Sequence, residues 1–152
     1  MPGPRRKSPR LRAYDYASLG VYFVTACARD RECLFGDVVK NEVQLSEVGR
    51  IVEKSWSEIP AHSAGVTTDA FVVMPNHIHG IVWLARDGHA PPLPAVIGSF
   101  KAAASRTAGR PLWQRSFHDR VIRDESELRA FRQYVADNPL KWAIDRENPV
   151  RR

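Results

Sequence analysis

Residues 66–84 read VTTDAFVVMPNHIHGIVWL, and this stretch decides the fold. β-Branched and aromatic residues fill 66–74 and 77–84, the composition of strands. Pro75-Asn76 interrupts them, because proline has no amide to donate to a ladder and the pair favours a turn. Two strands joined by so short a break form a β-hairpin. Within the second arm, His77 and His79 are separated by one residue. A period of two puts both imidazoles on one face, with Cα atoms roughly 6.5–7 Å apart, and turns Ile78 to the opposite face, into a core.

Upstream, GVYFVTAC at 20–27 reads as another strand, followed by a polar turn region ending in LFG at 34–36. Leu45, Val48, Ile51, Val52 and Trp56 then fall at helical spacing, with Ser46 as N-cap and Pro60 as the end. Downstream, Gly88, Pro91, Pro92 and Pro94 make 86–94 a linker, and a helix is expected over 95–108, closed by Gly109 and Pro111. SFHDRVIR at 116–123 alternates as a fourth strand. Asp124 caps a last helix, with Glu127 three residues on as in a capping box. That helix ends near Asn138, since Pro139 disfavours a helical residue before it. The order is β-α-β-β-α-β-α. Its first six elements are the ferredoxin-like, or RRM-like, arrangement: an α+β fold with one antiparallel sheet, helices on one face and the other face free for a ligand. The seventh element is a C-terminal helix bearing Tyr134.

The chain has 152 residues, 43% of them hydrophobic, which suits one globular domain. The expected division is a flexible basic arm at 1–13, a domain at 14–146 and a tail at 147–152. No apolar run reaches the roughly 18 residues of a membrane span, and no apolar segment follows the basic N-terminus as in a secretory signal. A cytoplasmic location and no membrane partner are therefore expected. Cys27 and Cys33 form no CxxC pair and read as packed, reduced thiols. The net charge is +6, which suits a polyanionic partner. Arg5, Arg6, Lys7, Arg10 and Arg12 form an acid-free run. Lys101, Arg106, Arg110, Arg115, Arg120 and Arg123 form a second basic stretch against Asp119 alone.

His77 and His79 can converge on one metal ion. Several enzyme classes use an HxH pair, and the rest of each pattern discriminates among them. A metallo-β-lactamase-like site needs HxHxDH, but Gly80 and Ile81 follow here. A histidine-triad hydrolase needs a third alternating histidine, where this chain has Ile81. Amidohydrolases carry the pair on a much longer barrel. FRQYVADNPLKW at 131–142 is the second feature. Tyr134 and Asn138 are four apart on a helix and share a face. Tyrosine can act as a covalent nucleophile, and asparagine offers a neutral oxygen to a metal shell of mixed nitrogen and oxygen. The metal is expected to be Mg²⁺ by availability or Mn²⁺ by ligand type, with Zn²⁺ disfavoured by the lack of a third clustered histidine or a cysteine.

With HIH at 77–79 and Tyr134-x-x-x-Asn138-Pro139 downstream, the chain resembles the single-tyrosine transposases of the His-hydrophobic-His superfamily. Within these it is most similar to the REP-associated tyrosine transposases. YFVTACARDRECLFG at 22–36, FVVMPNHIHGIVWL at 71–84 and Phe117 to Ile122 add to the likeness, which runs from about residue 20 to Trp142. It implies a transposase that cleaves and rejoins hairpin-flanked single-stranded DNA by metal-assisted transesterification. Tyr134 would be the nucleophile, giving a 5′-phosphotyrosine, and His77, His79 and Asn138 the metal ligands. DNA contacts are expected from Arg5, Arg6, Lys7, Arg10, Arg12, Lys101, Arg115 and Arg120, with Trp83, Trp113 and Trp142 as candidates to stack on bases. His118 reads as a structural or phosphate-binding residue, with an active-site role as the alternative. The protein is expected to be a monomer or a homodimer. Two other readings fit parts of the sequence. One is a non-catalytic nucleic-acid-binding module, which leaves His77 and His79 unexplained. The other is a metal phosphodiesterase that uses water, with Tyr134 incidental.

Overall fold

The computed structural model describes residues 19–86, 88–145 and 148–149. The N-terminal run from Arg5 to Arg12, with Tyr14 and Tyr16, lies outside the described residues, as do the edges of the expected arm and tail. The strands are β1 (Leu19–Cys27), β2 (Gly36–Val39), β3 (Glu42–Leu45), β4 (Val66–Met74), β5 (His77–Ala85) and β6 (His118–Val121). The helices are α1 (Glu47–Ser57), α2 (Ile59–His62), α3 (Leu93–Ala108) and α4 (Glu125–Asp137), and a 3₁₀ segment follows at Pro139–Ile144. No helix among the described residues is long and apolar enough to cross a membrane.

Four strands form one antiparallel sheet in the order β4-β5-β1-β6. This is the ferredoxin-like α+β arrangement that the sequence predicts. The β4–β5 hairpin closes at Pro75-Asn76, and its register pairs Val72 with His79 and Met74 with His77. Val24, Ala26, Ile78 and Val82 point from the sheet into the larger core, where they meet Val52 and Trp56 of α1 and Ile97 and Phe100 of α3. Gly80 is required by this packing: a Cβ there would collide with the Trp56 indole, which instead stacks flat on Phe71.

The structure corrects the sequence reading in several places. The face opposite α1 and α3 is not free, because α4 packs across β4 and β5. A second apolar cluster forms there from Val21, Phe23, Ile81 and Trp83 of the sheet with Ile122, Leu128 and Val135. A two-stranded hairpin, β2–β3, fills the stretch between LFG at 34–36 and the first helix, to which the sequence reading gives no element, and it takes Leu45 from the helix pattern into β3. Its connection, Lys40-Asn41, has both residues at positive φ (53° and 66°), the backbone of a tight hairpin turn. Pro60 lies in the first turn of α2 rather than merely ending α1. α3 starts two residues before the expected position, with Pro94 in its first turn, where a missing amide costs nothing. β6 is shorter than 116–123 because only His118–Val121 pairs with β1. The caps hold: Ser46 Oγ accepts from Gly49 N at 3.0 Å, and Asp124 Oδ1 accepts from Glu127 N at 2.9 Å.

Candidate functional site

Side-chain alternation on β5 puts His77, His79, Ile81 and Trp83 on the face covered by α4. His77 and His79 are buried, and their ring centroids are 4.7 Å apart. The His79 ring stacks on Phe23 at 5.2 Å. Phe23 in turn stacks on Phe131 of α4 at 4.6 Å and meets Tyr134 edge-on at 5.7 Å. One β1 phenylalanine thus seats both the imidazole and the tyrosine helix. The Tyr134 ring lies 5.2 Å from the His79 ring and is 46% exposed, so the helix brings a phenol beside the histidines while leaving it open to solvent.

Hydrogen bonds orient the imidazoles. Asn76 Nδ2 donates to the Arg31 carbonyl at 3.2 Å, which turns Asn76 Oδ1 toward His77 Nδ1 at 2.9 Å. An amide oxygen only accepts, so His77 Nδ1 carries a hydrogen. Thr25 Oγ1 lies 2.8 Å from His79 Nδ1. Asn138, almost fully buried, spends its Nδ2 on the Tyr134 carbonyl at 2.6 Å. That leaves its oxygen for the hydrogen bond it makes with His79. The His79 pKa is pushed down to about 3, first by burial and then by the charge of neighbouring His77, against a smaller upward pull from Asn138. Near neutral pH His79 is therefore uncharged, the form in which imidazole binds a metal.

Two imidazoles with their Nδ1 atoms engaged, and an amide oxygen beside one of them, fit a divalent ion. Among the described residues no three of His, Cys, Asp and Glu are already grouped for a metal; the third donor here is the Asn138 amide.

The structure brings together His77, His79, Tyr134 and Asn138, as the sequence predicts. It places the basic candidates differently. Lys101 Nζ donates to the carbonyls of Gln114, Arg115 and Ser116 at 2.8, 3.4 and 3.3 Å, which gives it the task of holding that loop. Burial also lowers its pKa. Arg115 is exposed. Arg120 lies over the Phe131 ring at 5.9 Å. His118 pairs with Thr25 across β1–β6, so it stands on the same sheet face as His79, two strands away. Phe23, Thr25, Phe117, His118, Asp119 and Arg120 line an open groove there. Trp83 and Trp113 are committed inside the protein: Trp83 Nε1 donates to Asp69 at 3.1 Å and Trp113 Nε1 to the Lys101 carbonyl at 3.1 Å. Trp142 stands 6.3 Å from the His77 ring. Neither Cys27 nor Cys33 forms a disulfide among the described residues; Cys27 is buried and Cys33 exposed.

Sequence reasoning missed a clamp on α4. Arg132 Nε and Nη2 grip the two oxygens of Asp69 at 2.9 and 2.7 Å. The register shifts between Thr68 and Phe71, and this bulge turns Asp69 onto the site face. It also missed Phe23, and Asp145, whose Oδ2 lies 3.9 Å from His77 Nε2. An alternating aromatic on β1 gave a signal for Phe23; nothing local pointed to the other two.

No family model matches the chain. An uncharacterized protein of Haemophilus influenzae is 32% identical, covering 92% of this chain and 91% of its own length. Among solved structures, the chain is similar to a REP-associated tyrosine transposase bound to a REP hairpin. That pair has a TM-score of 0.62 and 20% identity over 93% of this chain and 74% of the other. It is also similar to a candidate transposase from Deinococcus radiodurans, with a TM-score of 0.53 and 17% identity over 90% and 97%.

Proposed function

We propose, for a chain that belongs to one family with the Haemophilus influenzae protein and has the fold of the REP-associated tyrosine transposases, a function as a transposase acting on hairpin-flanked single-stranded DNA. The observation that carries this is the edge-on contact of Tyr134 with His79, 5.2 Å between centroids, made by a helix whose Asn138 also bonds to His79. A nucleophile, two imidazoles and an amide oxygen meet at one point on one sheet face. The hairpin substrate comes from the structural neighbour, and the exposed Arg115 and Arg120, with His118, suit phosphate contact.

In this reading Tyr134 Oη attacks the scissile phosphorus. A bond forms from phosphorus to the phenol oxygen and the bond to the 3′ oxygen breaks. The products are a 5′-phosphotyrosine and a 3′-hydroxyl, which ends with the proton that the phenol gives up. Reversal onto a new 3′-hydroxyl rejoins the strand without ATP. His77, His79 and Asn138 would hold Mg²⁺ or Mn²⁺, which when bound polarises the phosphate. Phe23 and the Arg132–Asp69 clamp fix the helix, and so the phenol, relative to the imidazoles.

The test is a covalent-adduct gel with end-labelled hairpin DNA. Tyr134→Phe keeps the ring and its packing on Phe23 but loses the hydroxyl. The adduct should vanish while folding and DNA binding persist, and Tyr22→Phe should leave it intact. An adduct that survives Tyr134→Phe sinks the assignment. Cleavage by the native protein with no adduct would favour the water-using phosphodiesterase instead.

A further inference from the structure

After α4 the chain turns through Pro139–Ile144 and comes back over the site. The end of the turn is tied down. Asp145 N donates to the Trp142 carbonyl at 3.0 Å, Asn148 N to the Asp145 carbonyl at 3.1 Å, and Asn148 Nδ2 to the Trp142 carbonyl at 3.0 Å. The Asp145 side chain is 16% exposed, with Oδ2 3.9 Å from His77 Nε2. The carboxylate oxygen and the imidazole nitrogen thus stand within reach of one shared ion in a largely buried setting.

The donor set set out above is neutral: two imidazoles and one amide. Mg²⁺ and Mn²⁺ favour carboxylate oxygen. Two donors each about 2.1 Å from a shared ion stand at most about 4.2 Å apart, so the 3.9 Å separation admits one ion. We propose that Asp145 is a further ligand of the divalent ion at the His77–His79 site and supplies its one negative charge. The inference rests on the metal reading of that site. The carboxylate reaches the His77 side, so His77, His79 and Asp145 do not form a preassembled triad; the ion draws in the last donor. Asp145 lies 68 positions beyond His77 in the sequence, and only the turn after α4 brings them together.

The test titrates MnCl₂ alone, by calorimetry, into the full-length protein, Asp145→Asn, Asp145→Ala, His79→Ala and Asp137→Asn. Asp137 is a half-buried α4 carboxylate bonded to Gln133 and controls for loss of charge. Thermal melts accompany each titration, and two substitutions at position 145 keep the test alive if one misfolds. The native protein and Asp137→Asn should bind one ion equally. Both position-145 variants should bind it at least about tenfold more weakly, and His79→Ala weaker still. Binding by Asp145→Asn equal to the native protein would overturn the proposal and leave the metal reading intact. Tighter binding would also overturn it, showing that the carboxylate pairs with a protonated His77 and competes with the ion. No binding by the native protein would overturn both.

Discussion

The two faces of the sheet are built from the same strands and do different work. On one face Val24, Ala26, Ile78 and Val82 meet α1 and α3 in an all-apolar layer. On the other, Val21, Phe23, Ile81 and Trp83 make an apolar half that anchors α4, while His77, His79 and Thr25 make a polar half at the hairpin end. Strand alternation alone produces this division, because neighbours such as Ile78 and His79 point oppositely. The first face supplies rigidity. The second holds buried polar groups, whose desolvation is offset by the hydrogen bonds with Asn76, Thr25 and Asn138. A strand locked from behind can thus present two imidazoles in a fixed geometry.

The largest effect should come from splitting that neighbouring pair. His79→Ala should eliminate adduct formation and leave a cooperative fold. Ile78→Ala should cost about 2–5 kcal/mol of stability by opening a cavity among α1 and α3, yet keep adduct formation per folded molecule. Urea unfolding and single-turnover adduct assays, run where both variants are folded, check this. Loss of adduct formation in well-folded Ile78→Ala would erase the distinction between the faces.

A smaller effect should come from Arg132. Its grip on Asp69 is largely buried, with side chains 23% and 8% exposed. Arg132→Ala leaves a carboxylate that still has Trp83 Nε1 and Ala70 N, so the expected cost is about 2–3 kcal/mol rather than the full cost of an uncompensated charge. Arg132→Lys should recover only part, since lysine lacks the two-pronged fork. If the clamp positions α4, adduct formation should fall further than the folded fraction does, with DNA affinity unchanged. Equal falls in both would reduce the clamp to a stability device.

The legible parts of this protein were those with local rules. The HIH hairpin, the Ser46 and Asp124 caps, and the Tyr134–Asn138 spacing follow from short-range chemistry, and the structure assembles them as read. The β2–β3 hairpin was missed because its strands are four residues each and lie on a largely exposed surface, so hydrophobic alternation is faint. The two-residue Lys40-Asn41 turn was the available signal. Asp69 was unreadable because a bulge, not the simple period, aims it at the site. Asp145 was unreadable because its neighbour His77 is on another element. The α4 helix itself was found, but the face it covers depends on tertiary packing that no local pattern states.

The smallest predicted effect concerns the start of α4, far from the chemistry. Asp124 Oδ1 accepts from Glu127 N at 2.9 Å, and Glu127 Oε1 accepts from Arg123 N at 2.7 Å. Two amides that would otherwise lack helical partners are satisfied at the surface. Asp124→Ala removes the first bond and a negative charge at the positive end of the helix dipole, so it should cost about 0.5–2 kcal/mol. Tyr134 lies ten residues further on and is held by Phe23 and the Arg132 clamp, not by the cap. Adduct formation at a temperature well below the melt should therefore match the native protein, while the melting temperature drops by a few degrees. Amide exchange should quicken in the first turn of α4 and not around Tyr134. Faster exchange throughout the helix, or a slower reaction in the cold, would mean that the tyrosine's position depends on the whole of α4 and not on the apolar half of the second face.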